Sequence, residues 1–534
     1  MWALFAAFVV LLGGIGARLL YLSHEKHLAV SELQSTRVQT IAVSRGTIYD
    51  RYGEALVNRE QYRLASVSPT SECMQTVRDA QMDNIDEIVA RLEKGERVTT
   101  PIHTWLPPTA GIVQITAPER YDDTGLACHV IGYVNGEGVG VCGVEKSCDA
   151  LLSSYGGEAT VRYQTDALGN VCDNSVDTLT NTLSRAEGGV ALTLDAQIQA
   201  LVQATASSYM ERGAVVVTDA KTGEVIASVS LPLYDQNHVD AALSSAASPL
   251  LDRTLIGYNV GSVFKILIAA AALEHGMSPH TVYTCTGSYT AGGQTFHCHN
   301  PLGDGALTMT EAMARSCNCY FIQLALDLGA KAIYDMAVSL GFTERLSLSE
   351  GYSTSRAILP SERDLSAEAA LANLAIGQGD LLASPYHIAS LVGAVASEGV
   401  YHTPILLYGE ADESGVIQPY NNRISSKRVF SSKTAQLLHA MLLPVVERGT
   451  GTAAAPDHGF AAGKTGTAET GWEQEGEEIV QSWFAGYYPA EEPQYVITVL
   501  SENGGQNGCV AAPLFAEIAD KLYAAGLVKV ANEY

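Results

Sequence analysis

The sequence predicts an α+β protein: an antiparallel five-stranded sheet covered by helices, preceded by a Gly- and polar-rich region and one N-terminal helix of membrane length. Three observations predict it. Apolar runs at Ala214–Thr218 and Val225–Val229 flank the turn Asp219–Glu224 and read as a hairpin. Three further strand runs, Phe460–Thr467, Ser482–Tyr487 and Tyr495–Leu500, are separated by polar turns. Helical stretches lie between these two groups, so strands at both ends of the region enclose its helices, the order expected of a sheet with helical cover.

The 534 residues suggest about two to four domains. With 47% hydrophobic residues the chain can build large cores. A net charge of -26, from 32 Lys+Arg against 58 Asp+Glu, excludes a nucleic-acid partner, because phosphate binding needs clustered cations. Met1–Leu22 is nearly all apolar and as a helix reaches about 33 Å, enough for a hydrocarbon core of about 30 Å. It reads as an uncleaved anchor rather than a signal peptide: no small-x-small cleavage site follows, and Leu19, Leu20 and Leu22 extend the run past Arg18.

Residues 29–110 mix polar, Gly and charged stretches with short strand-like runs, and residues 111–188 are rich in Gly, Asp, Ser and Thr. The texture changes near Gly188. Thr193-Leu194-Asp195 can cap a helix carrying Ile198, Leu201, Val202 and Tyr209 at helical spacing. The expected organisation is therefore an anchor at 1–22, an N-terminal domain at 29–188 and a second domain at 189–534. Within the latter, Val263–Leu273 reads as a buried helix stopped near Gly276, and Leu514–Tyr523 as a closing helix.

Ten cysteines are too few for a disulfide scaffold. Outside a membrane, Cys128, Cys142, Cys148 and Cys172 could pair. Cys285 and Cys298, with His297 and His299 beside the second, fit a disulfide or a metal site, but the spacing matches no standard zinc pattern, so no metal is expected. Most of these thiols read as small buried hydrophobes, Cys317 and Cys319 included.

Three short motifs carry chemistry, and each occurs twice. Ser-x-x-Lys is found at Ser262/Lys265 and Ser23/Lys26, Ser-x-Asn at Ser316/Asn318 and Ser501/Asn503, and Lys-Thr-Gly at Lys464-Thr465-Gly466 and Lys221-Thr222-Gly223. A chain of this length holds about one or two Ser-x-x-Lys by chance, so context must decide. Ser23/Lys26 lies at the end of the apolar run, Lys221–Gly223 in a hairpin turn, and Ser501–Asn503 after a strand. By contrast Ser262 opens a buried helix, Ser316 precedes the apolar run Tyr320–Leu328, and Lys464 lies within a strand.

That second set suits nucleophilic acyl transfer. At i, i+3 on a helix, Ser262 and Lys265 share a face, and the helix N-terminus favours charge developing on the serine. Lys265 can act as a base if burial and a second cation, Lys464, lower its pKa. Ser316 can pass the proton to a leaving amine while the Asn318 amide orients substrate or lysine. An edge strand bearing Lys464, Thr465, Gly466 and Thr467 can bind an extended peptide. The Ser262 and Thr467 amides would make the oxyanion hole. Each residue alone has a plain structural reading, Ser262 as a helix cap, Asn318 as surface polarity and Lys464 as a solvated charge. Their joint order and placement favour the site.

The trio, together with Arg45-Gly46-Thr47-Ile48-Tyr49-Asp50-Arg51-Tyr52-Gly53, Gly140–Glu145, Ile376-Gly377-Gln378-Gly379 followed by Ser384-Pro385, and Ser482–Tyr487, resembles the class B penicillin-binding proteins in order along the chain. The departures are Val260 for the usual Pro before the first motif's Gly, and Gly303-Asp304-Gly305 for a common Gly-His-Gly. The resemblance implies an acyl-serine D,D-transpeptidase with an elongated N-terminal pedestal, anchored in the bacterial cell membrane with its catalytic domain outside. It further implies that the protein cross-links peptidoglycan stem peptides, is acylated by β-lactams, needs no cofactor, and works with a SEDS-type glycan polymerase. The alternatives are a β-lactamase, for which Glu368–Asn373 vaguely resembles a deacylating motif with its Asn one place too far, a β-lactam sensor, and a non-catalytic scaffold.

Overall fold

The five strand runs form one antiparallel sheet. Its members are β1 (Gly213–Asp219), β2 (Val225–Leu231), β3 (Ala462–Gln474), β4 (Glu477–Tyr488) and β5 (Tyr495–Ser501), in the order β2-β1-β5-β4-β3. The computed structural model describes residues 1–22, 35–80, 82–166, 168, 170–172, 177–421, 424–474, 477–502 and 510–530. The longer helices include α1 (Trp2–Leu22), α2 (Ala196–Tyr209), α3 (Lys265–Glu274), α4 (Asn318–Leu328), α5 (Pro385–Ala396), α6 (Ser432–Arg448) and α7 (Ala511–Ala524).

Strands β1, β2 and β5 are buried along almost their whole length, which is why they read as continuous apolar runs rather than alternating ones. On one face Val215, Val217, Ile497 and Val499 meet Ile198, Val202 and Ala206 of α2 and Leu514, Phe515 and Ile518 of α7. On the other face lies α5, whose Gly393 sits against Val496 and whose Tyr386 hydroxyl donates to Ser228 Oγ at 2.9 Å. Asp195 caps α2 as expected, accepting from the amides of Gln197 and Ile198.

The decoy motifs fall as their contexts predict where they are described. Lys221 and Thr222 lie in the β1–β2 turn, where Asp219 Oδ1 accepts from both their amides and Gly223 adopts φ +75°. Ser501 ends β5, and Glu502 forms an ion pair with the fully buried Arg253 at 2.8 Å. Asn503 and the pair Ser23/Lys26 lie outside the described residues.

By contact the chain divides into two units. The smaller comprises residues 1–46, 57–122 and 153–188. It holds two three-stranded sheets, and helices Ser71–Asp79 and Ile85–Glu93 close a core around Val67, Val77, Val89 and Leu92. The exposed α1 belongs to it and is the one helix among the described residues long and apolar enough to cross a membrane. The larger unit comprises residues 47–56, 123–152 and 189–534. Two stretches of the 29–188 span therefore contribute to the larger unit. Thr47–Tyr49 pairs in parallel with Gly189–Leu192, and Asp50 accepts from the amides of Tyr52, Glu54 and Ala196, the last at the start of α2.

Candidate active site

Ser262 is placed by its glycine neighbour. Residues Gly261–Phe264 form a 3-10 turn that runs into α3. Gly261 has φ +61°, and a Cβ there would come within 2.5 Å of the Thr467 carbonyl oxygen on β3. Only glycine tolerates both the left-handed backbone and that approach. The Gly261 amide also donates to the Gly377 carbonyl at 2.9 Å, so the Ile376–Gly379 segment supports the turn from below. The result is a serine held beside the Lys-Thr-Gly strand.

Lys265 begins α3, whose residues through Ala272 are all buried. Its Nζ donates to the Ser316 carbonyl at 2.7 Å and to Asn318 Oδ1 at 2.6 Å, with Ser316 Oγ at 3.4 Å. Burial pushes its pKa down to about 8, while the thiols of Cys317, Cys298 and Cys319 oppose the shift. Burial, one of the two causes the sequence suggested, lowers it.

Ser316 sits between two helices. Thr308 and Glu311 form a capping box at the start of helix Met309–Arg315, and Ser316 ends that helix at φ +55°, a left-handed conformation that costs a non-glycine residue about 1 kcal/mol or more. Cys317 then caps α4 through its Sγ, which accepts from the Tyr320 amide. Lys464 reaches the same serine from the sheet: its fully buried Nζ donates to Ser316 Oγ at 3.0 Å, to the Thr465 carbonyl at 3.0 Å and to Thr465 Oγ1 at 3.2 Å. In register, Lys464 faces Ala485 and Gly466 faces Trp483, and β3 is the sheet's edge. A Cβ on Gly466 would stand 2.9 Å from the Val260 carbonyl oxygen.

Ser262, Ser316, Asn318, Thr465 and Thr467 line one cleft of about 900 Å³. Lys265 and Lys464 lie buried behind its wall. The structure thus brings the three predicted segments together, with one difference from the sequence reading. Among the described residues the Ser262 hydroxyl makes no hydrogen bond, and Lys265 is turned toward Ser316 and Asn318 instead. Two contributors escaped sequence reasoning: Thr450 Oγ1 lies 2.8 Å from Thr465 Oγ1, and the hairpin strand Gln294–His297 forms part of the cleft wall. Trp483, in the strand the sequence anticipated, donates from Nε1 to the Asn259 carbonyl at 2.9 Å. Glu368 is absent from that wall and accepts from the Gly292 amide at 3.1 Å. The described cysteines are free thiols, and His297 and His299 line the cleft.

The penicillin-binding protein transpeptidase domain model matches residues 213–520, more than half the chain and every one of these site residues. The chain belongs to the penicillin-binding protein transpeptidase family. Among this family member's relatives, penicillin-binding protein PbpB of Mycobacterium tuberculosis is 30% identical over 557 residues, covering 92% of this chain and 79% of that one. Peptidoglycan D,D-transpeptidase FtsI of Escherichia coli is 26% identical, covering 96% and 88%. The crystal structure of penicillin-binding protein 3 from Mycobacterium tuberculosis complexed with aztreonam matches with a TM-score of 0.67 at 26% identity, covering 93% of this chain and 98% of that one. The same fold is thus shared with class B penicillin-binding proteins along nearly the whole length.

Proposed function

We propose that the protein is a serine-type peptidoglycan D,D-transpeptidase and that Ser262 carries the acyl group. What supports this reading most is one observation: Lys265 and Lys464, from a helix and an edge strand, both reach Ser316 Oγ at the back of the cleft that Ser262 also lines. Ser262 Oγ attacks the carbonyl of the penultimate D-Ala of a donor stem peptide. The O–C bond forms, the C–N bond to the terminal D-Ala breaks, and the serine proton ends on the departing amine. Lys265, neutral part of the time because of its burial, accepts that proton, and Ser316 relays it. The contact between Ser262 and Lys265 closes as substrate enters, as catalytic hydrogen bonds often do.

The backbone amides of Ser262 and Thr467 stabilise the tetrahedral oxyanion. The edge strand β3 pairs with the extended donor, and Thr465 and Thr467 hold its carboxylate with the buried charge of Lys464 behind them. An amine on a neighbouring stem then attacks the acyl carbonyl: the new C–N bond forms, the ester bond to Ser262 Oγ breaks, and the amine's proton returns to Ser262. A relative complexed with aztreonam supports recognition of β-lactams by this chain, and we assign the acylation they cause to Ser262. The expected setting is the outer face of a bacterial membrane, with α1 as a single-pass anchor and a SEDS-type polymerase and other wall-synthesis proteins as partners. The organisation into anchor, pedestal at 29–188 and transpeptidase domain at 189–534 is part of the same proposal.

Purified protein given a D-Ala-D-Ala donor and an acceptor stem should release D-Ala and yield cross-linked product by mass spectrometry. Ser262→Ala should yield neither. D-Ala release with water as the only acceptor would overturn the transpeptidase reading, and activity in Ser262→Ala would overturn the nucleophile.

A further inference from the structure

Cys317 occupies the middle of the Ser316–Asn318 segment, and its thiol does not stand alone. Cys298 Sγ lies 3.6 Å from Cys317 Sγ, and the Asn318 amide donates to Cys298 Sγ at 3.2 Å. Cys285 and Asp304 join them: one ligand atom from each of Cys285, Cys298, Asp304 and Cys317 lies within 4.8 Å of every other. The three thiols are buried. Asp304 is partly buried, and its Oδ1 already accepts from Asn300 Nδ2 at 3.2 Å and Arg315 Nη1 at 3.3 Å.

Apolar packing accounts for buried thiols one at a time. It does not account for three of them gathered around a carboxylate. A tetrahedral zinc ion with Zn–S bonds of about 2.3 Å sets its sulfur ligands about 3.8 Å apart, close to the spacing seen between Cys298 and Cys317. Three thiolates with one carboxylate favour zinc over magnesium or calcium, whose sites are built from oxygen. The hydrogen bonds from Asn300 and Arg315 orient the carboxylate as outer-shell partners of a metal ligand do. The backbone is arranged for the convergence as well. Gly303, at φ +79°, would place a Cβ 2.4 Å from the Cys285 carbonyl oxygen, so glycine lets the loop carrying Asp304 lie against the strand that ends at Cys285.

We propose that Cys285, Cys298, Asp304 and Cys317 form a structural zinc site directly behind the Ser-x-Asn segment of the cleft. Binding replaces three thiol protons with three Zn–S bonds and adds one Zn–O bond. The ion ties the start of α4 to the segments that precede it in the chain. Asn318 Nδ2 donates to the His297 carbonyl at 2.8 Å, and residues Gln294–His297 form part of the cleft wall, so fixing Cys298 and Cys317 fixes that wall against Ser316 and Asn318. The site supplies no reacting atom. The spacing escaped recognition because its four ligands come from a strand end, two loops and a helix cap rather than from a compact knuckle.

The test uses the full chain purified in detergent without chelator. Elemental analysis should find about one zinc per chain, falling to background in Cys298→Ser and in Cys285→Ser. Wild-type protein stripped of metal and reloaded with Co²⁺ should show thiolate-to-cobalt charge transfer and the visible bands of a tetrahedral ion, a readout that needs no variant to fold and no activity. The proposal is overturned if the wild type holds only trace metal before and after incubation with Zn²⁺. Full zinc retention in both serine variants would also overturn it, as would an intact mass showing a Cys298–Cys317 disulfide instead of free thiols. None of these results depends on whether Ser262 is acylated.

Discussion

Lys265 should act as the base for acylation through its neutral form, and the pH dependence of acylation reads this out. With its pKa pushed down to about 8, about one tenth of the side chain is neutral at pH 7 and about nine tenths at pH 9. The second-order rate of acylation by a fluorescent penicillin should therefore rise about tenfold between pH 7 and pH 9 and then level off. An unburied lysine, with a pKa of about 10.4, would give a rise of roughly a hundredfold over the same interval with no plateau. Lys265→Arg keeps the cation but removes the base, and should lower the rate by about 10²–10⁴ and flatten its pH dependence. The shift also has a stability consequence whose sign is fixed. The folded chain binds the Lys265 proton less tightly than the unfolded chain, so the buried charge costs about 3 kcal/mol below pH 8, and that cost disappears as pH rises toward the unfolded value. Acylation that climbs a hundredfold without levelling, or Lys265→Arg protein that reacts normally, would refute the assignment.

The same contacts set other outcomes. Gly261→Ala forces a Cβ against the Thr467 carbonyl and should displace Ser262 by enough to lower acylation about 10²-fold, while circular dichroism stays native. Trp483→Ala empties a fully buried site and removes the Nε1 donor to the Asn259 carbonyl, and should cost about 3–5 kcal/mol in denaturant unfolding. Asp195→Ala removes the α2 cap and should cost about 1 kcal/mol without changing acylation.

Much of the fold and site was legible in the sequence because it is local. The β1–β2 hairpin announces itself by two apolar runs around a turn, and the Asp195 cap by residue type. The three motifs that meet at the cleft separate from the others by the sequence context each sits in. What stayed hidden depends on contacts far apart in the chain. Nothing near Gly261 says that Thr467 lies against it, and nothing near Ser316 says that its left-handed turn aims a carbonyl at Lys265. The parallel pairing of Thr47–Tyr49 with Gly189–Leu192 leaves no periodic trace, so residues 47–56 read as part of the N-terminal region. The β3–β4 hairpin runs further than its apolar core, to Gln474 and Glu477, because backbone pairing does not require the apolar residues by which a strand is recognised.

The most direct test of the acyl-serine assignment is peptide mapping of the full chain after reaction with a β-lactam. The account predicts a single adduct of the intact drug's mass on the peptide containing Ser262, absent in Ser262→Ala. An adduct on Ser316, or on any residue outside the cleft, would contradict it.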